Sequence, residues 1–391
     1  MRILLANKFY YNRGGDCTYT LNVQKLLEAN VHEVAVFAMD YGENLTTPWQ
    51  RYFPSEVNFR NVRHPLEAFL RPLGSSEVRR QFGRLLDDFR PDVLHMGNIH
   101  SQLSPLIAEL AHGRGIRVVW TLHDYKLICP RYDCLRDKAN CTACTTDERS
   151  VVRHRCVKGS LPASWLGYLE MRKWNLSRLA ACTDAFICPS RFMYNLMQQS
   201  GIPQTKLVQL HNFVLTETFT APASEREPYV CYAGRLSPEK GVATLLQAVA
   251  ELPDVRLKIA GDGPERENLV PLASERIQFL GRLGWTDLQT LVGKAQALVV
   301  PSEWYENNPL SVIEALCLGT PVVGAAIGGI PELIDEASGL TFCSGDVSAL
   351  RDALIQVGRR TFDHAAIAAS ARARFGADAY YNRLMQVYRP A

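Results

Sequence analysis

Ala297–Gly324 reads ALVVPSEWYENNPLSVIEALCLGTPVVG. It opens on an apolar run, Ala297–Val300, and passes through a polar loop. Helical spacing resumes from about Pro309, and the segment closes on a second apolar run, Pro321–Gly324. Short apolar runs flanking a helix are the mark of parallel strands buried on both faces. Proline suits the first helical position because it lacks an N–H that would be orphaned there, so the helix is predicted to start at Pro309 with Asn308 as its cap. Glu306 and Glu314 stand eight residues apart. That spacing puts Glu306 in the loop and Glu314 more than one turn inside the helix. The amides near Leu310 and Ser311 then have no intrahelical acceptor, and together with the helix dipole they suit a diphosphate.

The same alternation extends in both directions. Upstream, Tyr229–Ala233, Arg256–Ala260 and Ile277–Leu280 read as strands, with helices predicted over Val242–Glu251, Glu265–Ala273 and Thr286–Lys294. A first series precedes it: strands Arg2–Ala6, Val34–Phe37, Asp92–Met96, Arg117–Leu122 and Ala185–Cys188, with a helix over Thr18–Glu28. Glu217–Pro228 has no apolar periodicity and reads as a linker. Two series of βα units predict an α/β chain of two Rossmann-like, doubly wound domains facing a central cleft. Their expected bounds are 1–214, a linker 215–228, and 229–375, with a last helix in 376–391 crossing back to the first domain.

The 391 residues are 47% apolar and 21% charged, so neither disorder nor a low-complexity class fits. Lys+Arg is 43 against 40 Asp+Glu, and this near balance does not predict a nucleic-acid partner. The apolar stretch Ile3–Ala6 is too short for the core of a signal peptide, and no run is long enough to span a bilayer, so a cytoplasmic protein is expected.

The segment around Glu306 resembles the retaining glycosyltransferases of the GT-B fold, specifically family 4, in its Glu-x7-Glu spacing. Gly234-Arg235-Leu236-Ser237-Pro238-Glu239-Lys240-Gly241 is similar to that family's Gly-Arg…Lys-Gly loop. Gly261-Asp262-Gly263-Pro264 and Gly328-Gly329-Ile330-Pro331-Glu332 match as well. In the first half, Gly14-Gly15, His123-Asp124 and His211-Asn212 stand where the family has its Gly-rich loop, its cleft histidine and its inter-domain Asn turn. The combination spans Arg2 to about Tyr388. One departure is Asn308-Pro309, where many members have Phe-Gly.

The resemblance implies transfer of a sugar from a nucleotide-diphosphate donor, UDP or GDP, with retention of configuration and without a catalytic divalent metal. His123, Arg235, Lys240 and Glu306 become the candidate catalytic residues. Arg235 and Lys240 would stabilise charge building on the leaving phosphate. Glu306 would contact donor-sugar hydroxyls, and Glu314 the ribose. Gly14, Gly15, Gly263, Arg282, Leu283, Asn307, Asn308, Pro309, Leu310 and Ser311 would complete the donor site, while Asn98 and Asp124 would face the acceptor. With no obvious protein nucleophile, front-face attack assisted by the leaving phosphate is expected. Two other readings stay open: another GT-B enzyme, such as a sugar-nucleotide epimerase or a phosphorylase, and a non-catalytic nucleotide-sugar sensor.

Two features lie outside these motifs. Cys129, Cys141, Cys144 and Cys156 have a spacing that could close a tetrahedral structural zinc site, with reduced thiols or a reversible disulfide as the alternative. Cys134 reads as a bystander, and Cys17, Cys182, Cys188, Cys231, Cys317 and Cys343 as small core residues. Arg60–Arg84 holds six Arg against two acidic residues, and Arg149–Arg178 seven Lys/Arg against one. Leu66, Phe69, Leu70, Trp165, Leu166 and Trp174 are interleaved with them. Such a face suits an anionic membrane surface, here the inner face of the cytoplasmic membrane, and a lipid-linked saccharide acceptor in envelope polysaccharide assembly. A solvated charged face is the alternative.

Overall fold

The computed structural model describes residues 1–57, 69–223 and 225–389. The chain divides into two compact units, Met1–His211 with the segment from Tyr381 on, and Asn212–Tyr380.

The first unit is built on a six-stranded parallel sheet ordered β2-β1-β3-β4-β7-β8. The strands are β1 (Arg2–Ala6), β2 (Glu33–Phe37), β3 (Val93–Met96), β4 (Arg117–Thr121), β7 (Ala185–Cys188) and β8 (Leu207–Gln209). A small hairpin, β5 (Leu135–Arg136) and β6 (Ala139–Asn140), stands apart from it. Ile3, Leu4, Val118, Val119 and Phe186 are fully buried, as strands covered on both faces require. Helix α1 (Gly15–Ala29) follows β1 directly. Helix α2 (Leu161–Lys173) opens with a Ser160 side-chain cap and Pro162 in its first turn.

The second unit repeats the plan. Its strands are β9 (Val230–Ala233), β10 (Leu257–Ala260), β11 (Ile277–Gly281), β12 (Ala297–Val300), β13 (Val322–Ala325) and β14 (Gly339–Phe342), ordered β11-β10-β9-β12-β13-β14. The chain winds outward from β9 in one direction and then, from β12, in the other. The switch point therefore lies between β9 and β12, where α/β sheets bind ligands beyond the carboxyl ends of the strands. Helix α3 (Leu310–Cys317) leads from β12 toward β13.

Helix α4 (Ala377–Tyr388) ends the chain and is tied into the first unit by its C-terminal half. The Tyr388 hydroxyl lies 2.7 Å from His95 Nδ1, and Arg117 Nε donates to the Val387 carbonyl at 2.8 Å.

Most predicted elements fall within a residue or two of their observed bounds. β8 and β14 were not predicted: one has only two apolar residues and the other opens on glycine, so neither forms a clear run. The helix expected over Glu265–Ala273 stops at Leu269 and tightens into a 3-10 turn, Val270–Leu272, around Pro271, whose ring cannot continue an α-helix. Arg226, in the expected linker, is not loose: it donates to Thr320 Oγ1 at 2.7 Å and to the Gly319 carbonyl at 2.8 Å.

Candidate functional site

In the second unit, the loop after β9 and the loop after β12 meet at the switch point. The Gly234–Gly241 loop delivers Lys240, whose Nζ lies 2.6 Å from Oε1 of Glu306. Ser302 donates to the same oxygen at 2.8 Å, and Lys240 also sits 5.1 Å from the centre of the Trp304 ring. Glu306 is buried. Burial alone would push its carboxyl up, but Lys240 and Ser302 outweigh it and hold the group below the usual carboxylate range.

Backbone packing fixes both loops. Gly241 is left-handed, at φ 65, and a Cβ there would come within 1.9 Å of the Pro301 carbonyl oxygen. Gly263 seats against Leu236, whose carbonyl would lie 2.2 Å from a Cβ at that position. The steric need thus accounts for Gly263 whatever it contacts besides. The Gly329 amide donates to the Glu306 carbonyl at 2.7 Å, so the Gly328-Gly329 turn holds Glu306 from behind.

Asn308 does not cap the helix. Pro309 occupies the cap position without a side-chain bond, and α3 starts at Leu310. Asn308 instead accepts from the Asn212 amide at 2.8 Å, while Asn212 Nδ2 donates to its carbonyl at 2.9 Å. Asn308 is buried, and these two bonds give its side-chain oxygen and its main-chain carbonyl the partners that burial demands. Leu310 and Ser311 form the first turn of α3, next to Asn307. Glu314 lies on the helix, and burial raises its carboxyl to about 7. Arg235 is exposed, and Arg282 is 81% exposed, its Nε 3.8 Å from Asp262. Leu283 packs against the core of the unit.

In the first unit, Gly14 caps α1 in extended geometry and Gly15 is its first residue. Asp16, next in the chain, accepts from Asn98 Nδ2 at 2.9 Å, and the Asn98 amide donates to Asn7 at 2.8 Å. His123 follows β4, its ring edge-on to Tyr19 with centroids 4.5 Å apart. Its Nε2 is buried without a hydrogen-bond partner among the described residues. Burial lowers its pKa to about 4, with Asp16 pulling the other way, so the ring is neutral near pH 7. Asp124 Oδ1 accepts from the Lys126 amide at 2.9 Å, and burial raises its carboxyl.

Asp124 also borders a cavity of about 870 Å³ contained in this unit. Lys8, Lys126, Arg131 and Lys158 line it together with Phe69, Tyr132 and Leu166. Sequence reading missed this cavity, because its walls come from segments 8, 69–72, 100–102 and 124–170. It missed Ser302 as well, although a hydroxyl four residues before Glu306 was a usable signal.

Cys129, Cys141, Cys144 and Cys156 line one small cavity of about 20 Å³ beside Leu135 and Val151. All eleven cysteines are free thiols. Among the described residues no group of three or more His, Cys, Asp or Glu side chains is arranged to hold a metal ion. Cys134 is no bystander: it is buried and hydrogen-bonds the Cys129 sulfur, which draws that thiol down to about 7. Cys343 is exposed, not a core residue, since it follows β14 into a turn.

The expected basic face is only partly at the surface. Arg71 is buried and pairs with Glu77 at 2.9 Å. Trp174 is buried, donating to the Pro72 carbonyl at 2.8 Å. Leu66, like Arg60 and Arg63, lies outside the described residues. Among the described residues, no helix is long and apolar enough to cross a membrane.

Comparison with known proteins agrees with this geometry. Residues 14–212 match the glycosyl transferase 4-like domain, and residues 216–374 match glycosyl transferases group 1. A D-inositol 3-phosphate glycosyltransferase of Mycobacterium sp. (strain KMS) is 38% identical over 157 residues, covering 36% of this chain and 35% of that protein. Sulfoquinovosyl transferase SQD2 of Arabidopsis thaliana is 30% identical over 213 residues, covering 50% and 42%. The chain thus spans well under two thirds of the length of these relatives. Among solved structures, the lipopolysaccharide outer core galactosyltransferase WaaB superposes with a TM-score of 0.67 at 18% identity over 99% of both chains. Anabaena Alr3699/HepE in complex with UDP gives 0.70 at 18%, again over 99% of both. With both halves matched and a six-stranded parallel sheet in each unit, the chain belongs to the group 1, family 4-like glycosyltransferases of the GT-B fold.

Proposed function

We propose that this protein is a retaining glycosyltransferase that moves a sugar from a UDP- or GDP-linked donor to a lipid-linked saccharide in cell-envelope polysaccharide assembly, working at the cytoplasmic membrane face. The observation that carries this is the Lys240–Glu306 pair at the β9/β12 switch point, 2.6 Å apart. A buried carboxylate beside a cation can orient sugar hydroxyls, while the cation shifts toward the leaving diphosphate. Arg235, on the same loop and exposed, adds a bidentate oxygen contact. Leu310 and Ser311 offer helix-terminal amides to the phosphates, and Glu314 accepts from the ribose hydroxyls.

Fixed cations stabilise the departing phosphate more than the bound donor, so this chemistry needs no divalent metal. The leaving phosphate oxygen takes the proton of the attacking acceptor hydroxyl on the same face, which retains configuration. Neutral His123, with a free nitrogen, donates to or accepts from a sugar hydroxyl. The large cavity beside Asp124 takes the acceptor: Lys8 and Lys158, which form no ion pair among the described residues, suit a phosphate linkage, and its apolar lining suits a hydrocarbon. HepE has been crystallised with UDP-glucose, which supports a uridine donor. The zinc expectation rests on the spacing of the four cysteines, and metal content after purification without a chelating column tests it.

The reaction is tested by incubating the protein with UDP- and GDP-sugars and a polyprenyl-diphosphate saccharide in the presence of chelator. Proton NMR of the product reads the anomeric configuration. Transfer with the donor's configuration is expected; inversion, or an absolute need for divalent metal, overturns the mechanism.

A further inference from the structure

Three of the exposed large apolar side chains of this chain lie on one helix. Leu161, Trp165 and Leu169 on α2 are 43%, 48% and 39% exposed. Their spacing of four residues sets them in one stripe, at about 40° steps around the axis. The next face of the same helix, Pro162 and Leu166, lines the 870 Å³ cavity, as do the exposed Phe69 and Tyr132. The stripe and the cavity are therefore adjoining parts of one surface, and contiguous exposed apolar surface marks an interaction site.

Charge decides what it meets. Four carboxylates nearby are taken up: Asp133 by Arg131, Asp147 by Arg153, Glu148 by Arg172 and Glu170 by Lys126; Asp124, on the cavity wall, forms no ion pair among the described residues. Arg149, Arg155, Lys158 and Lys173 are exposed and form no ion pair among the described residues. Lys158 and Lys173 bracket the helix. An apolar stripe holding a tryptophan, flanked by cations without counter-charges, has the make-up of a helix that lies in the headgroup region of an anionic bilayer.

We propose that α2 docks this protein on an anionic lipid surface, with Leu161, Trp165 and Leu169 inserted and Arg149, Arg155, Lys158 and Lys173 facing headgroups. Docked this way, the cavity opens beside the bilayer, within reach of an acceptor whose hydrocarbon stays in the membrane. The docking does not depend on the donor chemistry, so loss of vesicle binding and loss of nucleotide binding are separate results.

The test is co-sedimentation of the full chain with vesicles of phosphatidylcholine alone, or of phosphatidylcholine mixed equally with phosphatidylglycerol. Binding to the mixed vesicles is expected to be at least about tenfold tighter and to weaken with salt. Trp165→Ser with Leu169→Ser is expected to weaken it at least about tenfold. Arg155→Glu with Lys173→Glu is expected to remove the preference for anionic lipid. Unchanged melting temperatures show that these variants fold. Binding that ignores lipid charge, is absent, or survives both double substitutions overturns the proposal. So does a dimer in sedimentation velocity that Trp165→Ser dissolves, since the stripe would then belong to a second copy.

Discussion

The ammonium of Lys240 lies 2.6 Å from Oε1 of Glu306, and the two residues arrive from loops 66 positions apart in the chain. Neither charge is more than a quarter exposed, at 24% and 8%, so the pair is a strong local constraint as well as a chemical device. Removing Lys240 leaves a buried carboxylate without the cation that pairs with it. Lys240→Ala is expected to destabilise the protein by about 3–5 kcal/mol and to raise the Glu306 carboxyl. Glu306→Gln, which keeps the shape and frees the lysine, is expected to cost less. Because Glu306 ionises below its unfolded range, its share of the stability is present at neutral pH and is lost as pH falls through the folded pKa. Denaturant titrations of both variants at neutral and acid pH check this.

Glu314 gives the opposite slope. Burial raises its carboxyl to about 7, so between about 4.5 and 7 the folded chain holds a proton that the unfolded chain has lost. Stability therefore falls as pH rises through this window, by up to a few kcal/mol on the order of magnitude of such a shift. Glu314→Gln is expected to flatten that part of the profile. If the group binds ribose hydroxyls, the same variant weakens nucleotide binding without touching the Lys240–Glu306 pair.

Buried histidines in the first unit act in the acid range. His123 falls to about 4 and His95 to about 3, both because burial penalises the cation. Between about 4 and 6.5 the unfolded chain binds protons that the folded chain refuses, so stability rises with pH there. His95 is also held by Thr121 at 2.7 Å and by Tyr388 at 2.7 Å. His95→Gln is expected to reduce the slope and to loosen α4, seen as faster amide exchange near Tyr388. His123→Asn is expected to reduce the slope while leaving α4 in place, and to lower transfer by roughly a hundredfold if the ring contacts the reacting sugar.

Gly241 tests the loop that presents Lys240. An alanine there would be both left-handed and driven into the Pro301 carbonyl. Gly241→Ala is expected to cost more than about 1 kcal/mol, the ordinary cost of a left-handed alanine, and to abolish the response to nucleotide. Gly42→Ala, where nothing among the described residues lies within 4 Å, is the control and is expected to be nearly neutral.

Period and punctuation made the two sheets legible, because strands such as Ala297–Val300 and Ala185–Cys188 are fully apolar and bounded by polar loops. β14, opening on Gly339, has no such signature and is defined by its pairing with β13. Of the candidate site, Lys240 and Glu306 could be named from the resemblance of their motifs to a known family, but their contact could not. It depends on β9 and β12 lying side by side, a long-range fact. Asn308 misled for the same reason: local rules favour a cap, while the partner that wins it, Asn212, comes from a segment 96 positions away.

Calorimetric titration with UDP and with GDP, in chelator, tests the central claim most directly. One nucleotide is expected to bind the unaltered protein, with binding lost in Lys240→Ala and in Arg235→Ala, variants of the same loop. Binding that survives both substitutions, or no binding of either nucleotide to the unaltered protein, would contradict a donor site at the Lys240–Glu306 pair.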